Sequence, residues 1–260
     1  MVLNYALPIS SGQYWFASAF FLVIIMKPYL NQIVRFGDVQ QAKRTMVFLL
    51  LMLILYYQIA SYLGDPFNYY GGFSAIWICI LYLIGAFIKR CDIIRQCKNK
   101  YVVLSMCICV LVTWAWTVFF SGRFATNYIY SYKSITLVVP AFGFLALFSK
   151  IQMSVAWKKI VAFFAPAAWG VYLIHDHILV RGYFFQAGHL GTQSFAQSPV
   201  WLMVLQVLGM SLAILAACLL VEKLRLVLFR LLKIDWLCDR FAEWADKTIR
   251  RLPMIRKLYE

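Results

Sequence analysis

Long apolar blocks separated by short polar connectors dominate the chain. Seven such blocks stand out, at roughly Gln13–Leu30, Met46–Leu63, Phe73–Ile88, Tyr101–Phe120, Ile135–Phe148, Ile160–Val180 and Val200–Leu220. Most approach the ~20 apolar residues that a helix needs to cross a bilayer. The pattern therefore predicts an all-α, polytopic transmembrane helix bundle of about seven crossings. Beyond Leu220 the period changes. Leu224, Val227, Leu228, Leu231, Ile234, Leu237, Phe241 and Trp244 recur at spacings of three and four, and Lys223, Arg230, Lys233 and Arg240 occupy other faces. That is the signature of an amphipathic helix lying along a membrane surface. Two regions are expected: a transmembrane domain over 1–220 and a cytoplasmic, amphipathic, basic tail over 221–260. The opening "MVLNYALPISSG" has no basic stretch ahead of an apolar core, so no cleavable signal peptide is expected.

Composition supports a membrane protein. The chain is 63% hydrophobic with a mean hydropathy of +0.76, against about 45–50% apolar residues in soluble domains. The net charge of +15 is informative through its placement. Arg35, Lys43 and Arg44 follow the first block; Lys89, Arg90, Arg95, Lys98 and Lys100 follow the third; Lys150, Lys158 and Lys159 follow the fifth; ten more lie between Lys223 and Lys257. The alternate connectors hold only Arg123, Lys133 and Arg181. Basic residues collect on the cytoplasmic side of a membrane protein. The expected topology is a multi-pass protein of the cell (plasma) membrane, N-terminus outside and C-terminus cytoplasmic. The same distribution assigns the positive charge to the inner leaflet and excludes nucleic acid as a partner. None of the seven cysteines falls in an external connector, so no disulfide framework is expected.

Candidate chemistry concentrates in "GVYLIHDHILVR", residues 170 to 181. Ionisable groups are costly in a membrane and face an interior cavity or the interface. In one continuous helix, His175 and His177 point to opposite sides, about 200° apart. His177 would share a face with Arg181, and Tyr172 would lie one turn before His175 and Asp176. Two histidines at this spacing make a poor metal pair, so no metal is expected. In that topology the cluster lies at the outer end of its crossing, with Pro166 and the small residues Ala167, Ala168 and Gly170 before it permitting a kink and close packing. The external connector 121–134 adds Arg123 and three tyrosines, Tyr128, Tyr130 and Tyr132, as belt residues or as a sugar-binding entrance. Two further assignments stand beside a site for an acceptor: a structural cluster that satisfies neighbouring backbone, and a transporter with a His/Asp proton relay.

Two stretches resemble a known family. "GQYWFASAFFLVIIMKPYLNQIV" (12 to 34) and "FGFLALFSKI" (142 to 151), the latter followed by "GVYLIHDHILVR", are similar to segments of acyltransferase-3 membrane enzymes of the surface-polysaccharide O-acetyltransferase type. The resemblance implies transfer of an acetyl or other acyl group from cytosolic acyl-CoA to a sugar hydroxyl of a cell-surface or exopolysaccharide. Acetyl-CoA is then a donor substrate and no cofactor is resident; the partners are membrane lipid, acyl-CoA and a glycan acceptor. It makes His175 and His177 candidates for proton transfer, and Tyr172, Asp176, Arg181 and Arg123 candidates for substrate binding. In the family a catalytic histidine lies on the first crossing and an Arg-x-x-Arg element follows. Residue 1 here falls at what resembles the fourth crossing, and neither element has a counterpart. The expectation is a C-terminal portion lacking the first three helices and inactive alone, or else a non-catalytic fragment or pseudoenzyme scaffold.

Overall fold

The computed structural model describes residues 14–60, 64, 67, 69–120, 129, 131–186 and 192–250. Among the described residues the protein is helical with no strand, as the apolar blocks predict. Four helices are long and apolar enough to cross a membrane: Trp15–Arg35, Val39–Ala60, Asn99–Phe120 and Val200–Leu231. Two compact units divide the chain, residues 1–152 and 153–260.

The first unit contains α1 (Trp15–Arg35), α2 (Val39–Ala60, with a π-helical stretch at Leu50–Tyr56), α3 (Ala75–Arg90), α4 (Asn99–Phe120) and α5 (Ile135–Ser149). Helix α2 begins before the expected Met46, because Asp38 accepts a hydrogen bond from the Gln41 N–H at 2.7 Å and caps it. The polar first turns, with Lys43 and Arg44, belong to the helix. Ser74 caps α3 in the same way through the Trp77 N–H.

Helix α3 is the centre of this unit and packs against α1 and α2. Its Leu83 and Phe87 join Val23, Leu30 and Val34 of α1 and Met46 of α2. Nearer its start, Trp77, Ile80 and Ile84 join Ile54 and Tyr57 of α2 and Val138 of α5. Polar contacts fasten both ends. The Tyr82 hydroxyl donates to Asn31 Oδ1 at 2.8 Å, giving a structural role to the asparagine of the first family-like stretch. Arg90 donates to the carbonyls of Val34, Phe36 and Gly37, which the end of α1 leaves without helical partners. At the opposite end of α2, Lys133 Nζ donates to the Tyr57 hydroxyl at 2.5 Å and lies 4.4 Å from the centre of its ring. Helix α4 packs on α5 and buries no residue fully. Leu111, Trp114 and Phe119 are more than 60% exposed, a display of apolar surface that suits lipid and not water.

The second unit contains α6 (Val155–Phe164), α7 (Ala168–His175), α8 (Val200–Leu231) and α9 (Ile234–Arg250). The sixth apolar block does not form the single helix expected over 160–180. A 3-10 turn at Ala165–Ala167 separates α6 from α7, and α7 stops at His175. Pro166 supplies no N–H to continue the ladder. At the far end His177 is extended (φ −60°, ψ 132°) and caps a new short turn, Ile178–Val180. Together α6, the 3-10 turn and α7 still form 21 consecutive helical residues, Val155 to His175.

Helix α8 departs in the other direction. It runs past Leu220 to Leu231 without a break, so the first part of the expected tail continues the last long helix. Lys233, with φ +53°, turns the chain into α9. There Leu237, Phe241 and Trp244 project together from an otherwise charged helix, in keeping with the amphipathic pattern. All seven cysteines are free thiols.

Candidate functional site

The most polar interior of the second unit lies where α7 meets α8. Glu222 is 2% exposed, the one charged residue among the described residues to be buried. Arg225, one turn later, grips it through two hydrogen bonds, Nε to Oε2 at 2.8 Å and Nη2 to Oε1 at 2.6 Å. The fork geometry matches a carboxylate, and the pairing is what permits a charge there, since an unpaired buried carboxylate is strongly disfavoured. Space for it comes from Gly170 on α7. A Cβ at that position would overlap Cγ, Cδ and Oε2 of Glu222. The neighbouring Lys223 turns to α6, where Nζ donates to the Phe163 carbonyl and lies 3.8 Å from the centre of the Phe163 ring.

Along this contact runs a cleft of about 240 Å³ lined by Gly170, Leu173, Ile174, His177, Val180, Glu222 and Arg225. It is apolar along most of its wall, with three polar groups converging on it. A straight sixth helix antiparallel to α8 would carry His177 toward the start of α8, far from the basic residues. The broken helix instead brings His177 into one cleft with Glu222 and Arg225.

The two candidate histidines differ in hydrogen bonding, and this assigns their protons. His175 Nδ1 lies 2.8 Å from the Val171 carbonyl. A carbonyl only accepts, so Nδ1 carries a hydrogen and the lone pair of the neutral ring is on Nε2. His177 is the reverse: its Nδ1 accepts from the Leu179 N–H at 3.3 Å, so its hydrogen is on Nε2. His175 can take a proton through Nε2; His177 can donate one hydrogen bond through Nε2. His177 lines the cleft and His175 does not.

The remaining candidates divide as follows. Tyr172 stacks edge-on against His175 at 6.1 Å, the face-sharing that one helical turn predicts. Arg181 follows His177 by one turn, its N–H donating to the His177 carbonyl at 2.8 Å. Its guanidinium reaches Asp176 at 3.4 Å. That pair is partly open to solvent and worth at most about 1 kcal/mol. Arg123, Tyr128 and Tyr130 lie outside the described residues; Tyr132 packs edge-on against Phe73 at 5.1 Å in the first unit.

Sequence reasoning missed Glu222 and Arg225. Residues 200 to 221 contain no charge, and the first charges after such a run look like the end of a crossing. The available signal was a glutamate among basic residues with an arginine three positions on, which a continuous helix places on one side.

A family model describing an acyltransferase domain, that of acyltransferase-3, matches residues 2–223. No curated protein and no solved structure matches the chain. The matched region takes in α1 to α7, the histidine cluster and α8 through Lys223; Arg225 and α9 lie beyond it.

Proposed function

Because the chain belongs to the acyltransferase-3 family of multi-pass membrane proteins, we propose that it serves O-acyl transfer from acyl-CoA to a sugar hydroxyl of a cell-surface polysaccharide. The observation that carries this is the cleft uniting His177 with Glu222 and Arg225; His175, two residues before His177, keeps Nε2 as its proton-accepting nitrogen. Transfer requires the acceptor hydroxyl to lose its proton as its oxygen attacks the thioester carbonyl. The carbon–sulfur bond then breaks, and the thiol leaves protonated. His175 Nε2 is suited to accept the first proton. In this reading the Nε2–H of His177 donates to an oxygen that gains negative charge. Tyr172, held against His175, orients the ring, and Asp176 with Arg181 forms a polar rim for sugar hydroxyls. Arg123 belongs to the same proposal as an acceptor contact. The distribution of basic residues supports a cytoplasmic C-terminus, on the side where the donor is made, and an external N-terminus.

The test is the O-acetyl content of surface polysaccharide in cells with and without this chain, measured as base-released acetate. Loss of ester with His175→Ala, at normal membrane levels of the protein, is the expected result. Equal acetylation with and without the chain would instead make it a non-catalytic scaffold.

A further inference from the structure

We propose that Arg225, fixed by Glu222 above Gly170, is an anion-recognition residue that holds the phosphate of an amphiphilic phosphate ester whose apolar part lies in the adjoining cleft. Four observations converge on this assignment.

The first is donor geometry. Glu222 engages Nε and Nη2 of Arg225. A guanidinium has five N–H groups, so both hydrogens of Nη1 and the second of Nη2 are not used by Glu222. The side chain is 44% exposed, and its plane is steadied over the Phe229 ring at 4.5 Å. A fork immobilised on one edge presents its other edge to a ligand with little further ordering.

The second is charge. Glu222 neutralises one cation, yet Lys223 and Arg225 both flank it. The surplus is positive, so the ligand group that fits is an anion.

The third is depth. At ~1.5 Å per residue a helix of 32 residues is about 48 Å long, whereas the hydrocarbon core is about 30 Å thick. The charge-free run 200–221 accounts for the core, which leaves Glu222, Lys223 and Arg225 at the level of lipid headgroups. Phosphates are available at that depth.

The fourth is the wall. Leu173, Ile174 and Val180 are apolar, and the cleft of about 240 Å³ is smaller than the ~300–1,000 Å³ of typical ligand sites. It takes a phosphate with a short stretch of chain. A polysaccharide, with hydroxyls on every side, would leave most of them unpaired against these walls.

Two sources offer a phosphate on an amphiphile: acyl-CoA and an anionic phospholipid. Only the first rests on the acyl-transfer proposal. The full chain in phosphatidylcholine nanodiscs separates them, with radiolabelled acetyl-CoA binding in one arm and retention of added phosphatidylglycerol by native mass spectrometry in the other. Arg225→Gln should weaken binding of one probe at least about tenfold, as loss of a charged hydrogen-bond donor does. Arg230→Gln should leave it unchanged. Loss of acetyl-CoA binding identifies the donor. Loss of phosphatidylglycerol alone supports the anion site while removing this cleft from acyl transfer. Arg225→Lys keeps the charge without the fork; it should be several-fold weaker, and serves as the reading if Arg225→Gln does not accumulate. Wild-type affinity for both probes in Arg225→Gln, no binding of either probe by the unmodified chain, or failure of both Arg225 variants to accumulate would overturn the proposal.

Discussion

Gly170→Ala isolates the contact on which the cleft depends. Inside a helix, alanine is favoured over glycine by about 0.8–1.0 kcal/mol, so this substitution should stabilise α7 if the surrounding space were open. The structure predicts the opposite sign, because the new methyl group would occupy the volume of the Glu222 carboxylate. Inserting a methyl group into a packed site costs about 1–3 kcal/mol. Displacing Glu222 also strains its two bonds to Arg225, each worth about 1.5–3 kcal/mol when charged. Against the helical gain, a net loss of about 1–3 kcal/mol remains. For a chain of this size each kcal/mol moves a melting midpoint by about 2–4 °C, so a fall of roughly 2–12 °C is expected. A fluorescent fusion heated in detergent and followed by size-exclusion chromatography measures it. Glu222→Ala alone should also destabilise, because it strands Arg225 against the cleft wall. The combination Gly170→Ala/Glu222→Ala should lose less than the sum of the two, since the methyl group then fills vacated space. A Gly170→Ala protein as stable as its parent, or additive behaviour in the double variant, would refute the close approach.

Three further outcomes follow from the structure. In the first unit, Lys133→Met removes both the hydrogen bond to Tyr57 and the contact with its ring; a loss of about 1–3 kcal/mol is expected, and an unchanged melting curve would show that the contact contributes nothing. Reporter fusions after Arg95 and after Lys257 should read cytoplasmic and one after Thr192 external; an external reading at Lys257 inverts the proposed topology. Acetylation by His175→Ala should fall about 10²–10⁴-fold, as for loss of a general base. His177→Gln, which keeps a donor, should retain more activity than His177→Ala, and the reverse order would remove hydrogen-bond donation from its role.

What the sequence disclosed and what it concealed follow from one physical distinction. Hydropathy registers side chains, and the helices set by side-chain burial were legible: α1, α3, α4 and α5 fall close to their apolar blocks. Backbone continuity is set by groups that hydropathy does not weigh. The block 160–180 is apolar almost throughout, yet Pro166 removes a donor and His177 Nδ1 captures the Leu179 N–H, so the chain breaks twice where the pattern looks unbroken. The opposite error occurred at Leu220. Charge there looked like an ending, although Glu222 is compensated by Arg225 from the same helix and housed by Gly170 from another. The histidines were found because polar residues in an apolar run are conspicuous. Their relation to Glu222 was not, because 45 positions separate His177 from Glu222 and a straight helix pair would hold them apart. A continuous α6–α7 of about 20 residues would span ~30 Å and put the histidines across the membrane from the basic end of α8. With the 3-10 turn at Ala165–Ala167 in its path, Gly170 docks on Glu222 and His177 lines the same cleft. His177 and Arg225 then line one cleft, the arrangement on which the proposed hydrogen-bond donation and the proposed phosphate recognition both depend.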